Sequence, residues 1–468
     1  MKYPSITAFH KSILNGEASF TETVNYYLSQ IDVNKGLNAF VNVFAEDALA
    51  RAAALDQQKL AGMPMGKLAG VVISIKDNIC YKGHIATAGS KILEGYHSPF
   101  SATAVEKLVN EGAIIIGTTN CDQFGMGSMS TNSHYGPVRN GADPELIAGG
   151  SSGGAAVSVQ MDMCMAALGS DTGGSIRQPA AFTDTIGFKP SYGAVSRYGL
   201  IAYGSSFDQI GTISNNYEDA RTIFEIMAGS DEKDSTSIDI EKDAKTYAGR
   251  PKLAYVEEMF EGDQEWMQEN RAFLESLRET CDLVKVDFHY MKYLVPCYYI
   301  LTTAEASSNL SRFDGVRYGH RTASPSDLKD MYRESRSEGF GPEVKKRIML
   351  GTFVLSEGYF DAYFTKALRV RRLIQNEVNQ ILEGNDGFIL PISASAPWRL
   401  DQKIEDPTQI YMSDIYTVLA NLTGNPSVTV KIPTEKYNSR TSNSVQLIVN
   451  RGADMSIFNL AEKIYKKY

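Results

Sequence analysis

The 468 residues carry 43% hydrophobic and 22% charged side chains, enough apolar surface for a large buried core and too much for a disordered or fibrous chain. Acidic side chains outnumber basic ones, 55 to 46, and the formal net charge of -9 excludes an electrostatic grip on nucleic acid by the chain as a whole. Cys80, Cys121, Cys164, Cys281 and Cys297 are odd in number and lack C-x-x-C spacing, which argues against a disulfide framework or zinc site and for reduced thiols in a soluble, cytoplasmic protein.

Met1 to Ser5 lead directly into polar, helix-like sequence, and no run approaches the ~18 uninterrupted apolar residues of a membrane span. Ser19-x-x-Glu22 forms a capping box, and Val24, Tyr27, Leu28 and Ile31 follow at the spacing of one helical face. At "LAGVVISIKDN" the period changes: Val71, Val72, Ile73 and Ile75 make the continuous β-branched run of a strand covered on both faces. A helix over Thr103 to Gly112 then precedes a second such strand, "AIIIGTTN". Strands of this kind separated by helices predict a mainly parallel α/β sheet. "MCMAALGSDT" reads as a further short strand, and the polar stretch "AGSDEKDSTSIDIEKDAK" as a surface connection within one large domain before the strand "PKLAYV". From Glu343 to Leu382 charged and apolar residues alternate at helical spacing.

Three segments carry chemistry. Lys76 closes a strand buried on both faces, where poor solvation lowers an amine's pKa and makes it a candidate base. Position alone fits an ion pair with Asp77 better. In "GGSSGGAAVSV", glycine pairs free the backbone around Ser151 and Ser152 at the start of a helix from Ala155, as a turn or an anion-binding nest would also do. Gly149 to Gly153 satisfies the G-x-S-x-G of a nucleophile elbow, but "NGADPELIA" ahead of it is no strand, so that reading falls behind. In "LGSDTGGSIRQPA", the small residues Thr172, Gly173 and Gly174 let backbone amides converge beside Ser175, the geometry of an oxyanion hole. Asp171 and Arg177 read as an ion pair holding that loop.

Together, a lysine ending a buried strand, then G-G-S-S-G-G, then G-S-D-T-G-G-S-I-R-x-P resemble the amidase signature family. The resemblance implies an α/β amidase signature fold with a large mixed central sheet covered on both faces by helices. One domain would span 1–468, with a helical segment at about 1–62, a catalytic core at about 63–215 and a substrate-pocket part at about 250–468. It further implies a Ser-Ser-Lys triad in which Ser175 is the nucleophile, Ser151, held in a cis peptide, relays protons, and Lys76 is general base and acid. His10, His84, His97, His134, His289 and His320 lie outside all three motifs, as that mechanism expects.

"GFKPSYGAVSRYGLIAYGSSFDQIG", "AEASSNLSRFDGVRYGHR" and "FGPEVKKRIMLGTFVLSEGYFDAY" extend the resemblance to the A subunits of tRNA-dependent amidotransferases over nearly the whole chain. Glutamine hydrolysis would then supply ammonia for converting Glu-tRNA(Gln), Asp-tRNA(Asn) or both. By the same resemblance Arg347 holds the α-carboxylate of glutamine, Asp414 its α-amino group, and Tyr298 lines the pocket; as isolated residues Arg347 reads as a solvated helix charge and Asp414 as a helix-start acid. No cofactor is expected in this chain. ATP, Mg and most of the aminoacyl-tRNA are expected at partner subunits B and C of a heterotrimer. Ala155, Gln123 and Thr212 replace the serine, glutamate and proline usual at their positions, and "PISASAPW" and "SVQLIVNRGADMS", the latter through Gln446, match the family pattern loosely. The altered C-terminal part leaves a stand-alone amidase for another small amide as an alternative, and a catalytically silent scaffold as a third reading.

Overall fold

The structure, a computed structural model, describes residues 1–241, 243–402, 404, 406, 408–433 and 443–465. Among these, eleven strands form one sheet: β1 (Phe40–Val43), β2 (Val72–Lys76), β3 (Ile114–Thr119), β4 (Ala166–Asp171), β5 (Ile186–Lys189), β6 (Gln209–Ser214), β7 (Lys252–Tyr255), β8 (Asp282–Lys285), β9 (Gly387–Pro391), β10 (Ser427–Lys431) and β11 (Ser444–Ile448). Their order is β1-β3-β2-β4-β6-β5-β10-β11-β9-β7-β8. Strands from both sides of "AGSDEKDSTSIDIEKDAK" thus share the sheet.

The sheet is mixed, which corrects the mainly parallel arrangement expected from the strand and helix pattern. Parallel pairing is confined to β3-β2-β4 and to β9-β7-β8, while β4-β6-β5-β10-β11-β9 run antiparallel to their neighbours. Parallel neighbours need a crossover, and no helix separates β5 from β6. Every residue of β2, β3 and β4 is buried, as their continuous apolar runs predict.

The helices that position the site are α1 (Phe20–Val33), α2 (Thr103–Asn110), α3 (Gly153–Gln160), α4 (Arg177–Phe182), α5 (Leu294–Asn309), α6 (Pro342–Val354), α7 (Lys366–Glu383) and α8 (Val418–Thr423). The capping box at α1 is fully formed: the Ser19 hydroxyl accepts from Glu22 N at 3.1 Å, and the Glu22 carboxylate accepts from Ser19 N at 2.9 Å. The stretch from Glu343 to Leu382 is not one helix. It breaks after α6 at Leu355 to Tyr359, where Gly358 adopts a left-handed φ of 85°, and resumes through a π-helical turn, Phe360–Thr365, into α7. No helix among the described residues is long and apolar enough to cross a membrane.

Candidate active site

Lys76 ends β2 in the middle of the parallel trio and is 0% exposed. The ion pair with Asp77 that its position allowed does not form. Asp77 Oδ2 instead accepts from Thr87 N at 3.2 Å and Gly89 N at 2.9 Å. Lys76 Nζ donates to Ser151 Oγ at 2.7 Å, to Ser152 Oγ at 3.0 Å and to Ser170 Oγ at 3.0 Å. Burial lowers its pKa below the ordinary lysine value, while Cys121, Asp122, Asp171 and Asp208 oppose the shift electrostatically. Around this amine the hydroxyls are fixed by their own partners: Ser152 Oγ donates to Ser170 O at 3.1 Å, and Asn78 Nδ2 donates to Ser170 Oγ at 2.9 Å.

Ser151 lies at the end of the loop that leads into α3, and the Gly150–Ser151 peptide is cis, as the resemblance implied. No strand precedes it, so the nucleophile-elbow geometry is absent. The amide of Ser152 donates to Ser175 O at 3.1 Å, joining the two glycine-rich segments by a backbone bond next to the two serines. Ser175 is 7% exposed, and its hydroxyl has no hydrogen-bond partner among the described residues.

The loop around Ser175 is held from beneath. Each N–H of the Arg177 guanidinium finds an acceptor: Nε and Nη2 bond Asp171 at 3.1 and 3.0 Å, Nη2 also Asn421 Oδ1 at 2.7 Å, and Nη1 bonds Thr417 O at 2.9 Å and Gln446 Oε1 at 2.6 Å. Burial alone would raise the Asp171 carboxyl, but Arg177 holds it well below the usual carboxylate range. Gln446 completes the arrangement by donating to Pro391 O and Tyr416 O, both at 3.0 Å, so the loosely matching C-terminal segment supplies the site with an intact support. Replacing Arg177 by Met leaves Asp171 buried and unpaired, and about 3–5 kcal/mol of stability should be lost, read as a lowered midpoint in denaturant titration.

Asp171 also engages the amide of Gly174, at 2.8 Å from Oδ1. That narrows the convergent amides expected at Thr172, Gly173 and Gly174, since Gly174 N–H is no longer available. The amides of Gly173 and Ser175 have no acceptor among the described residues. Gly174 must be glycine: its φ is 132°, and a Cβ there would lie 2.3 Å from Thr417 Oγ1. Thr172 Oγ1 donates to Asp208 Oδ1 at 2.6 Å.

Arg347 and Asp414 come together beside this loop. Arg347, on α6, is buried and not the solvated helix charge that an isolated reading gives. Its Nε donates to Glu343 Oε1 at 2.8 Å and Nη1 to Tyr203 Oη at 2.8 Å, which leaves Nη2 without a protein acceptor among the described residues. Asp414, four residues ahead of α8, accepts through Oδ2 from Ser128 Oγ at 2.8 Å and Tyr299 Oη at 3.0 Å; Oδ1 has no donor there. Burial pushes the Asp414 carboxyl up to about 6, with Ser128, Tyr299 and Arg347 opposing. Tyr298 packs over Gly173, where a Cβ would meet its hydroxyl at 2.5 Å. Tyr203, Ser128 and Tyr299 carry no sequence signal that singles them out. Gln123, in place of the usual glutamate, accepts through Oε1 from Ser90 Oγ and from Gly341 N, both at 3.0 Å, and so steadies the start of α6. Ala155 is buried in α3, and the Thr212 hydroxyl is buried in β6 without a partner among the described residues.

A fully buried amine in hydrogen-bond contact with a serine, beside a second, unbonded serine and two free amides, is equipped to attack and protonate an amide. Comparison with known proteins agrees. The family model described as Amidase matches residues 22–458. The A subunit of the glutamyl-tRNA(Gln) amidotransferase of Chlorobium phaeobacteroides is 44% identical over 447 residues, covering 94% of either chain. Its counterpart from Lachnospira eligens is 45% identical over 432 residues, covering 90% of this chain and 89% of its own. The crystal structure of the glutamyl-tRNA(Gln) amidotransferase A subunit from Thermotoga maritima superposes with a TM-score of 0.77 at 35% identity, over 96% of this chain and 94% of the other. With its lysine, both serines and their glycine frame in place along a match that runs almost end to end, the chain belongs to the amidase family.

Proposed function

We propose that this chain is the glutamine-hydrolysing A subunit of a glutamyl-tRNA(Gln) amidotransferase. The observation that carries the reading is the pair of unsatisfied charged atoms in one pocket, Arg347 Nη2 and Asp414 Oδ1, flanking the loop of Ser175. A guanidinium fork suits the α-carboxylate and a carboxylate suits the α-ammonium of a free amino acid, whose side-chain amide then reaches the serines.

Ser175 Oγ attacks the amide carbon of glutamine. Its proton passes to Ser151, whose own proton moves along the 2.7 Å contact to neutral Lys76 Nζ. The amides of Gly173 and Ser175 face the oxyanion. Collapse breaks the C–N bond, and the proton returns from Lys76 through Ser151 to the departing nitrogen, releasing ammonia and leaving a γ-glutamyl ester on Ser175. Water hydrolyses the ester by the same relay, giving glutamate and regenerating the serine.

The ammonia is used on partner subunits B and C of a cytoplasmic heterotrimer, where ATP with Mg activates Glu-tRNA(Gln), or Asp-tRNA(Asn), and where the aminoacyl-tRNA is held. The acidic chain fits that division of labour. The test is reconstitution: with B and C subunits, ATP, Mg and Glu-tRNA(Gln), the wild-type chain should transfer glutamine-derived nitrogen, followed as 15N, to the tRNA-bound glutamate. If glutamine supplies no nitrogen while simple aliphatic amides are hydrolysed well, the chain is a stand-alone amidase.

A further inference from the structure

The outer side of α6 and the π-helical turn after it expose an unusual concentration of apolar side chains. Met349, Leu350, Phe353, Tyr359, Phe360 and Tyr363 are 42% to 72% exposed. Scattered exposed apolar residues are ordinary on a soluble protein, but these adjoin one another. The Phe353 and Tyr359 rings lie 4.3 Å apart, Tyr359 and Tyr363 6.0 Å, and Phe353 and Tyr363 6.1 Å, so aromatic faces stack on each other in water. All six lie in the stretch "RIMLGTFVLSEGYFDAY", whose Arg347 and Gly351 point the other way, inward.

The support beneath this face is rigid. A Cβ on Gly351 would come within 1.9 Å of Thr303 O, so the backbones of α6 and α5 are in direct contact and the exposed side cannot fold inward. Next to it, at the start of α7, Lys366, Arg369 and Arg372 are exposed and pair with no carboxylate among the described residues. The turn itself carries the carboxylates Glu357 and Asp361, the latter accepting from Thr365 Oγ1 at 3.0 Å. Three uncompensated cations beside an aromatic face, on a chain of net charge -9, form a local field opposite in sign to that of the whole molecule.

We propose that this face, the outer side of α6 with the π-helical turn and the start of α7, docks another protein subunit of the same amidotransferase. That partner presents an apolar contact surface edged by acidic side chains. The inference rests on the reading of this chain as the A subunit. Exposed aromatics and methionine at the centre with charges at the edge are the composition of a protein interface. A nucleic acid is favoured less, because three cations are few for a phosphate backbone and Met349 and Leu350 offer it nothing.

The experiment measures association of the full-length chain with purified B and C subunits by sedimentation velocity and by titration. Phe353→Glu with Tyr359→Glu should weaken association at least a hundredfold. Leu60→Glu with Met63→Glu, at exposed apolar residues elsewhere, should leave it unchanged. Glutamine turnover by the lone chain should match wild type for both variants, which reports an intact fold. A charge-reversed variant, Lys366→Glu with Arg369→Glu and Arg372→Glu, should slow association and remove most of its salt dependence. Association of the aromatic variant with wild-type affinity overturns the proposal. So does a variant that keeps the subunits but loses tRNA, or a wild-type homodimer that this variant dissolves. Failure of wild type itself to bind B and C, with glutamine nitrogen never reaching tRNA, sinks the A-subunit reading and this inference with it.

Discussion

Ser175→Ala is expected to lower glutamine hydrolysis by on the order of 10⁴-fold or more and to abolish the covalent γ-glutamyl enzyme seen by intact mass after rapid quench. The serine is nearly buried and its hydroxyl holds no structural bond among the described residues, so removing one oxygen costs the fold little. Lys76→Ala should be comparably inactive, but for a different reason. The Ser151 hydroxyl would then lose its basic neighbour. Because burial lowers the Lys76 pKa, the active form is the neutral amine, and activity should fall as the pH drops and Nζ takes a proton. An uncharged aliphatic amide is the right probe, since no charged group of the substrate titrates. Near-normal turnover by Ser175→Ala, or an acid limb that persists unchanged in Lys76→Ala, would show that another nucleophile or base carries the reaction.

What the chain displays in its order of residues is chiefly what local chemistry dictates. A β-branched run ending in lysine folds as a buried strand whatever surrounds it, and runs of glycine and serine mark backbone bends, so Lys76, Ser151 and Ser175 are visible as candidates. Long-range pairing is not. Tyr298 and Tyr299 are adjacent on α5 and differ by about 100° around the helix, and only the tertiary structure decides that Tyr299 bonds Asp414 while Tyr298 covers Gly173. Ser128 sits in a loop with no periodicity, yet it is brought to Asp414 across 286 residues of sequence. The use of Gly174 N–H by Asp171 and the antiparallel centre of the sheet are hidden for the same reason: each depends on which distant backbone arrives alongside. The break after α6 does have a signal in Gly358, masked by the helical spacing on either side.

Arg347→Ala and Asp414→Asn should separate binding from chemistry. Each removes one charged contact from a buried pocket, which typically costs about 2–5 kcal/mol, so kcat/KM for glutamine should fall by roughly 30-fold to several thousand-fold, mostly through KM. A neutral aliphatic amide, which has neither α-group, should be affected much less in both variants. The pH dependence provides an independent sign. With the Asp414 carboxyl pushed up to about 6 in the free protein, it is ionised above that pH and protonated below it. Protonation removes the acceptor for the α-ammonium, so KM for glutamine should climb about tenfold per pH unit below 6, beyond any acid limb that the aliphatic amide shows through Lys76. Asp414→Asn should abolish this extra dependence while keeping KM high at every pH. If glutamine and the aliphatic amide respond alike to both substitutions and to acid, the pocket between α6 and α8 does not read an amino acid, and the glutaminase assignment fails even with the triad chemistry intact.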